Sequence, residues 1–309
     1  MRTVHVRIAA CLALTTVLAL AGTTVALAAE DAAAAAAAKI SKQVASILDA
    51  LTALQTEESQ TTIKILQAKK TAMDTGKIED IGKTRDEMAK GNAKGEWRDY
   101  KQVLTGAGQQ WELTAQKYAR LAAQLKAMER DREKATPDAQ AQMDVISKRL
   151  ADKHRAVLER AADCYYDAAE YKKALPIYAG LYQEIPEDKR TAEKSLTDKL
   201  ADIFFVTGDY KTSFKLYEGL YKAATPAEQK TWATQRPRER MANIYEKNGD
   251  FKSALPLYKS MLETYEPNRR TADETKWLRD KIAGIEAKLG TSSSAPAAAK
   301  GGANTGGKR

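Results

Sequence analysis

Three segments of the chain repeat one another, and this internal repeat restricts the fold more than any other feature. Ala161-Ala162-Asp163-Cys164-Tyr165-Tyr166 followed by Ala169-Glu170-Tyr171 aligns with two later stretches. The second is Leu200-Ala201-Asp202-Ile203-Phe204-Phe205 with Gly208-Asp209-Tyr210, and the third is Met241-Ala242-Asn243-Ile244-Tyr245-Glu246 with Gly249-Asp250-Phe251. Each runs on into the same apolar spacing: Ala174, Tyr178 and Leu181, then Ser213, Tyr217 and Leu220, then Ala254, Tyr258 and Met261. The spacings are helical on both sides of a turn, so each copy reads as a helical hairpin. A small residue at 162, 201 or 242 lets two helices approach closely, and the aromatic three positions later fills the gap to the next hairpin. One helix pair cannot bury both of its faces, so the hairpins must stack.

The pattern resembles the tetratricopeptide repeat family. The small residue, the aromatic three later, the Gly-Asp-Tyr turn, the Ala of the second helix and the aromatic four later all fall where that family puts them. So does the proline beyond, at Pro186, Pro226 or Pro267. The resemblance covers residues 154–268. It departs in period, because Tyr171, Tyr210 and Phe251 are 39 and 41 residues apart, against about 34 in the family. The extra residues lie at 187–195 and 226–237 and predict longer first helices or short added turns. Pro176 and Pro256 fall inside second helices and predict bends, since an interior proline costs up to about 3 kcal/mol.

The resemblance further implies a groove for a protein or peptide partner, lined by the first helices. Carried over by position, it takes Glu159, Arg160, Asp163, Tyr166 and Asp167 from the first repeat. The second repeat gives Asp198, Lys199, Asp202, Phe205 and Val206, and the third gives Arg236, Glu239, Arg240, Asn243, Glu246 and Lys247. Such a groove would be acidic at one end and basic at the other, with Tyr166 and Phe205 as aromatic anchors. Arg236 and Arg240 resemble the basic half of a clamp for a C-terminal carboxylate. Glu159 and Asp163 stand where that clamp has a lysine and an asparagine.

Ahead of the repeats, Ile40, Val44, Ile47, Leu51 and Leu54 recur at helical spacing, and after Glu58 and Thr61 the stripe resumes at Ile65, Ala68 and Ala72. This predicts one helix over 39–74, ended by Gly76. A short element with Ile78, Ile81 and Met88 then leads to a turn at Gly91, Asn92 and Gly95. A second seam alternates three and four without a slip: Trp97, Tyr100, Leu104, Ala107, Trp111, Thr114, Tyr118, Leu121, Leu125 and Met128. Heptad spacing of this length needs a neighbouring helix, either from the chain folding back as a hairpin or from a second subunit. Trp, Tyr and Ala in the seam favour the hairpin, because strict dimers prefer branched aliphatics there. Gly106 and Gly108 predict a bend or loop within the seam. Thr136-Pro137 is a helix start, followed by Met143, Ile146, Leu150, Val157, Ala161 and Cys164.

Thr225 with Glu228 and Thr271 with Glu274 have the spacing of capping boxes. The latter opens a helix with Leu278, Ile282, Ile285 and Leu289 that Gly290 ends, in the place of a C-terminal cap. No segment alternates with period two. The expected fold is all-α, a long-helix hairpin or coiled coil followed by a three-repeat solenoid and a capping helix.

Arg2 and Arg7, the uncharged stretch Ile8 to Leu27 and the small-x-small run Ala26-Leu27-Ala28 predict an export signal cleaved after Ala28. The alternative is an uncleaved anchor. The expected organisation is a signal at 1–28, an Ala-rich spacer or frayed helix start at 29–38, long helices at 39–135, repeats and cap at 136–290, and a disordered tail at 291–309. The net charge of +9 narrows accordingly. Setting aside Arg2 and Arg7 in the signal and Lys300, Lys308 and Arg309 in the tail leaves +4 on residues 29–290, too mild for a nucleic-acid groove. Of the two histidines and two cysteines, only His154 and Cys164 lie outside the signal. Ten residues apart on one helix means about 15 Å of rise, so they are not a nucleophile and base.

With no phosphate loop, metal-ligand spacing or nucleophile motif, the sequence points to an exported, non-enzymatic scaffold or adaptor, periplasmic or otherwise extracytoplasmic. It would bind a protein or peptide partner without a cofactor and without nucleic acid, and would touch a membrane only through an uncleaved signal. The alternative is a cell-envelope structural or division-linked factor that forms homo-oligomers through its N-terminal helices. The order of signal, helical seam and terminal repeats is similar to that of the Tol-Pal-associated periplasmic coordinator family.

Overall fold

The computed structural model describes residues 2–75, 85, 88–91, 95–190, 192–231, 234–265 and 272–293. Among these the chain is all-helical, with no strand. The principal helices are α1 (Arg2–Thr75), α2 (Glu96–Met128), α3 (Pro137–Asp167), α4 (Tyr171–Gln183) and α5 (Lys194–Thr207), then α6 (Tyr210–Ala223), α7 (Gln235–Lys247), α8 (Phe251–Tyr265) and α9 (Ala272–Ser293). The chain divides into two compact units, Met1–Glu170 and Tyr171–Arg309. The boundary expected at 135/136 falls inside the first unit, because α3 packs along α2 over most of its length.

The first unit is built on α2, which lies between α1 and α3; α1 meets α3 directly over a much shorter stretch. All ten seam residues from Trp97 to Met128 are buried, with Trp111 and Tyr118 at 1% and 0% exposure. The seam is therefore filled from within the chain, as the hairpin reading requires. Among the described side chains of α1, from residue 30 on, the buried stripe begins at Ile40. The alanines before it are helical and largely exposed, so the run lies inside α1 and is neither an irregular spacer nor a helix start, in keeping with alanine's high helix propensity. Gly106 and Gly108 do not break α2. A Cβ at Gly108 would sit 2.7 Å from the Tyr165 ring; this glycine lets α3 come close. Thr136 caps α3 through the Ala139 N–H at 3.3 Å, with Pro137 in its first turn. The expected ends and turns at Gly76, Ile78, Ile81 and Asn92 lie outside the described residues.

In the second unit each helix packs on the next in chain order from α4 to α9. The expected core positions fill the stack: Ala201 and Ala242 at the close approaches, and Tyr178, Tyr217 and Tyr258 fully buried between helices. Asp209 and Asp250 cap α6 and α8, each accepting a backbone N–H at 3.1 Å from Thr212 and Ser253. Gly208 and Gly249 precede them with φ of 92° and 74°. The first copy has Ala169 there, at φ 58°, a conformation that strains any residue with a Cβ.

Pro176 and Pro256 leave α4 and α8 unbroken; each is the sixth residue of its helix and forfeits one intrahelical hydrogen bond. The insertions form short 3-10 turns at Glu187–Lys189 and Glu228–Lys230. The Thr225 and Glu228 box is reciprocal, at 2.8 and 3.3 Å, but it opens the second of these turns rather than an α-helix. Thr271 lies outside the described residues, as does the tail beyond Ser293. α9 continues three residues past Gly290, because a single glycine costs only about 1 kcal/mol and the next proline comes later. Among the described residues no helix is long and apolar enough to cross a membrane.

Candidate functional site

Asp198 and Asp202 stand one turn apart on α5, and Arg236 and Arg240 one turn apart on α7. The stacking of these first helices joins them rung by rung: Arg236 to Asp198 at 2.7 Å and Arg240 to Asp202 at 2.9 Å. The next rung is Lys281 of α9 to Glu246 of α7 at 2.9 Å. The acidic and basic ends expected of the groove are thus corrected to an ion-pair ladder. Unlike charges on consecutive first helices meet, instead of remaining apart for a ligand. The carboxylate-clamp reading falls for the same reason, since both arginines already hold carboxylates of the chain itself.

The rungs differ in depth. Asp202 is fully buried, and the Tyr217 hydroxyl lies 3.5 Å from its carboxylate. Burial and the two aspartates push the Tyr217 phenol far above its ordinary range. Asp198 sits nearer solvent; burial holds its carboxyl above the usual value, against the pull of Arg236. For Glu246 burial also acts upward, but the Lys281 ammonium and the Tyr258 hydroxyl outweigh it and the carboxyl is lowered. Arg236 keeps 40% of its side chain in solvent, so the outer rung remains reachable.

The other expected residues spread between the two units. In the second, Phe205 is half-buried, edge-on to Tyr210 at 5.6 Å, with the Arg240 guanidinium 4.5 Å above its ring. Asn243 accepts the Tyr258 hydroxyl at 2.6 Å. In the first unit Glu159 and Asp163 are half-buried on α3. Tyr166 is only 3% exposed, beneath the Arg85 guanidinium at 4.3 Å; it is a packing residue and not an exposed anchor. Cys164 is buried, and desolvation, with Asp167 and Asp163 adding to it, pushes its thiol up to about 12.

Two residues were missed in the sequence. Trp277, 44% exposed, is the one aromatic among the large exposed apolar residues described. Advancing Arg236 and Arg240 by the 41-residue repeat gives Trp277 and Lys281, so α9 carries the surface of a further first helix, with its tryptophan edge-on to Tyr258 at 6.3 Å. Arg238, fully buried, donates to Thr231 O at 2.8 Å, Ser260 O at 2.9 Å and Thr264 Oγ1 at 3.1 Å. It pins the second insertion to α8. Among the described residues no group of three His, Cys, Asp or Glu side chains is placed to hold a metal ion.

Residues 239–272 match the family model described as Tetratricopeptide repeat. The match spans α7 from Glu239, the turn and all of α8; the insertion ahead of α7, which lengthens the period, lies outside it. It supports a tetratricopeptide-repeat reading of these hairpins and, with it, the general role of such repeats in protein–protein interaction. No curated protein matches the chain. Among solved structures the chain is similar to that in "Crystal structure of BtubC (BKLC) from P. vanneervenii". The identity is 14%, covering 83% of this chain and 99% of that chain, with a TM-score of 0.29, too low for a shared arrangement to be read from it.

Proposed function

We propose that the protein is a non-enzymatic scaffold that binds a partner protein along the first-helix face of its second unit. The observation that carries this is the ladder itself. It pairs the facing charges of α5, α7 and α9 with one another, while Arg236 and Trp277 stay partly in solvent at equivalent positions of successive first helices. An exposed arginine and tryptophan on a rigid, internally neutral surface have the character of interface hot spots. The binding set is then Phe205, Arg236, Asn243 and Trp277, with Asp202 and Arg240 holding the surface together. Glu159, Asp163 and Tyr166 drop out of it.

Export to an extracytoplasmic compartment, on the reading of residues 1–28 as a signal, belongs to the same proposal. Crosslinking and pull-down of the full chain from envelope fractions test it. Arg236→Gln with Trp277→Ala is expected to abolish capture of a partner that the unaltered chain retains, with helicity retained. An identical set of captured proteins from both would remove the proposal.

A further inference from the structure

In the first unit one carboxylate gathers three helices. Glu58 of α1, only 6% exposed, accepts the Tyr118 hydroxyl from α2, Lys153 Nζ from α3 at 2.9 Å and Arg160 Nη1 from α3 at 3.5 Å. Arg160 also lies over the Trp111 indole, 5.1 Å from its centroid. The surroundings show what this cluster does. α1 packs along α2 at length but meets α3 only briefly, and the pairs from Glu58 to Lys153 and Arg160 bridge that short contact. Beyond it α1 turns apolar residues outward, with Ile63, Leu66 and Met73 each about half exposed. An apolar seam, with Lys117 paired to Glu57 at 2.6 Å and Tyr118 bonded to Glu58, therefore secures α1 to α2, whereas the Glu58 cluster bridges its short contact with α3.

We propose that Glu58 is a conformational latch: its carboxylate holds α1 closed against α3, and without it α1 keeps its seat on α2 but parts from α3. The chemistry favours an on-or-off device over a graded one. A buried carboxylate that satisfies two cations and a phenol is strongly held, while its loss leaves Lys153 and Arg160, with 29% and 49% of their side chains already in solvent, no partner in this cluster on α1, so the contact opens. Generic apolar packing tolerates slippage; this arrangement does not, because a displacement of one turn on α1 would put Glu58 about 5 Å from its partners.

The test uses the full chain with Cys11→Ser and spin labels at Ser59 on α1 and Asp152 on α3, both exposed. Cys164, buried and with a raised thiol pKa, does not compete for label. The unaltered latch should give one narrow distance distribution. Glu58→Ala should broaden it to longer distances and lower the melting temperature by about 10 °C, with helicity retained. Millimolar formate or acetate should restore the narrow distance in Glu58→Ala, where a cavity faces the cations, but not in Glu58→Leu, where the side chain fills it. If both variants keep the closed distance, apolar packing alone holds α1 to α3 and the latch does not exist. If Glu58→Leu closes as tightly as the unaltered chain, size and not charge sets the contact, and the proposal likewise falls.

Discussion

The two units use charge differently. The first concentrates its buried charge, with one carboxylate on α1 collecting a phenol and two cations from two other helices while its other ion pairs lie at the surface. The second distributes it, with one ion pair at each of several levels between consecutive first helices. The geometry of the helices accounts for the difference. Long helices that share a continuous seam are already aligned and need one fixed point against slippage. Short hairpins stacked in a row need a contact renewed at every step, because each meets only its neighbours.

The contrast predicts that damage in the second unit stays there. Tyr258→Ala, which empties a fully buried site between α7, α8 and α9, should cost about 4 kcal/mol. Hydrogen exchange should speed in α7 to α9 while α1 to α3 keep their protection; loss of protection in both units would erase the distinction. Next in size, Asp202→Asn strands Arg240 within the stack and should cost about 3 kcal/mol, while Asp202→Leu with Arg240→Met should recover most of it. Denaturant titration of the three proteins measures this, and a double variant as weak as the single would mean that the ladder sets the fold rather than its spacing. In the first unit Gly108→Ala should cost about 2 kcal/mol by pushing the Tyr165 ring. A neutral result would show that the close approach of α2 and α3 can relax.

Two smaller effects sharpen the contrast. Ala169→Gly should stabilise by about 0.5–1 kcal/mol, since the residue already sits at positive φ, whereas Gly208→Ala should destabilise by about 1 kcal/mol. The acid response of the ladder should also run in opposite directions at its two ends. The depressed carboxyl of Glu246 contributes stability above the ordinary carboxylate range near 4, and this is lost as pH falls through its lower folded value. Asp198 is raised, so its folded state takes up a proton more readily than the unfolded chain does, and the stability it contributes at low pH is lost as pH rises through the raised value. Replacing Glu246 with Gln should therefore matter less as pH drops from 5 to about 3, and replacing Asp198 with Asn should be mild at pH 7. Chemical melts of both variants across that range decide the signs.

Much of the fold could be read from spacing, because a periodic apolar stripe records the face that is buried. Every residue of the Trp97 to Met128 seam behaves as its position implies. The repeat likewise located Tyr178, Tyr217 and Tyr258 and the turns between helices. Spacing does not record what lies opposite a face. Asp198 and Arg236 are 38 residues apart on separate helices, so two charged patches were legible where the structure has one ladder. Glu58 looked like a polar interruption of the α1 stripe for the same reason, and Gly108 like a break rather than a place where a ring approaches. Trp277 was within reach of the sequence, since extending the 41-residue offset one step further lands on it.

The central claim is that the second unit's first-helix face meets a partner protein. A photoreactive amino acid placed at Trp277 in one full-length protein and at Val145, 68% exposed on α3, in another tests this directly in cells. A discrete crosslinked partner from position 277, lost on Arg236→Gln and absent from position 145, is the predicted result. Crosslinks from 145 alone, or the same products from both positions, would contradict it.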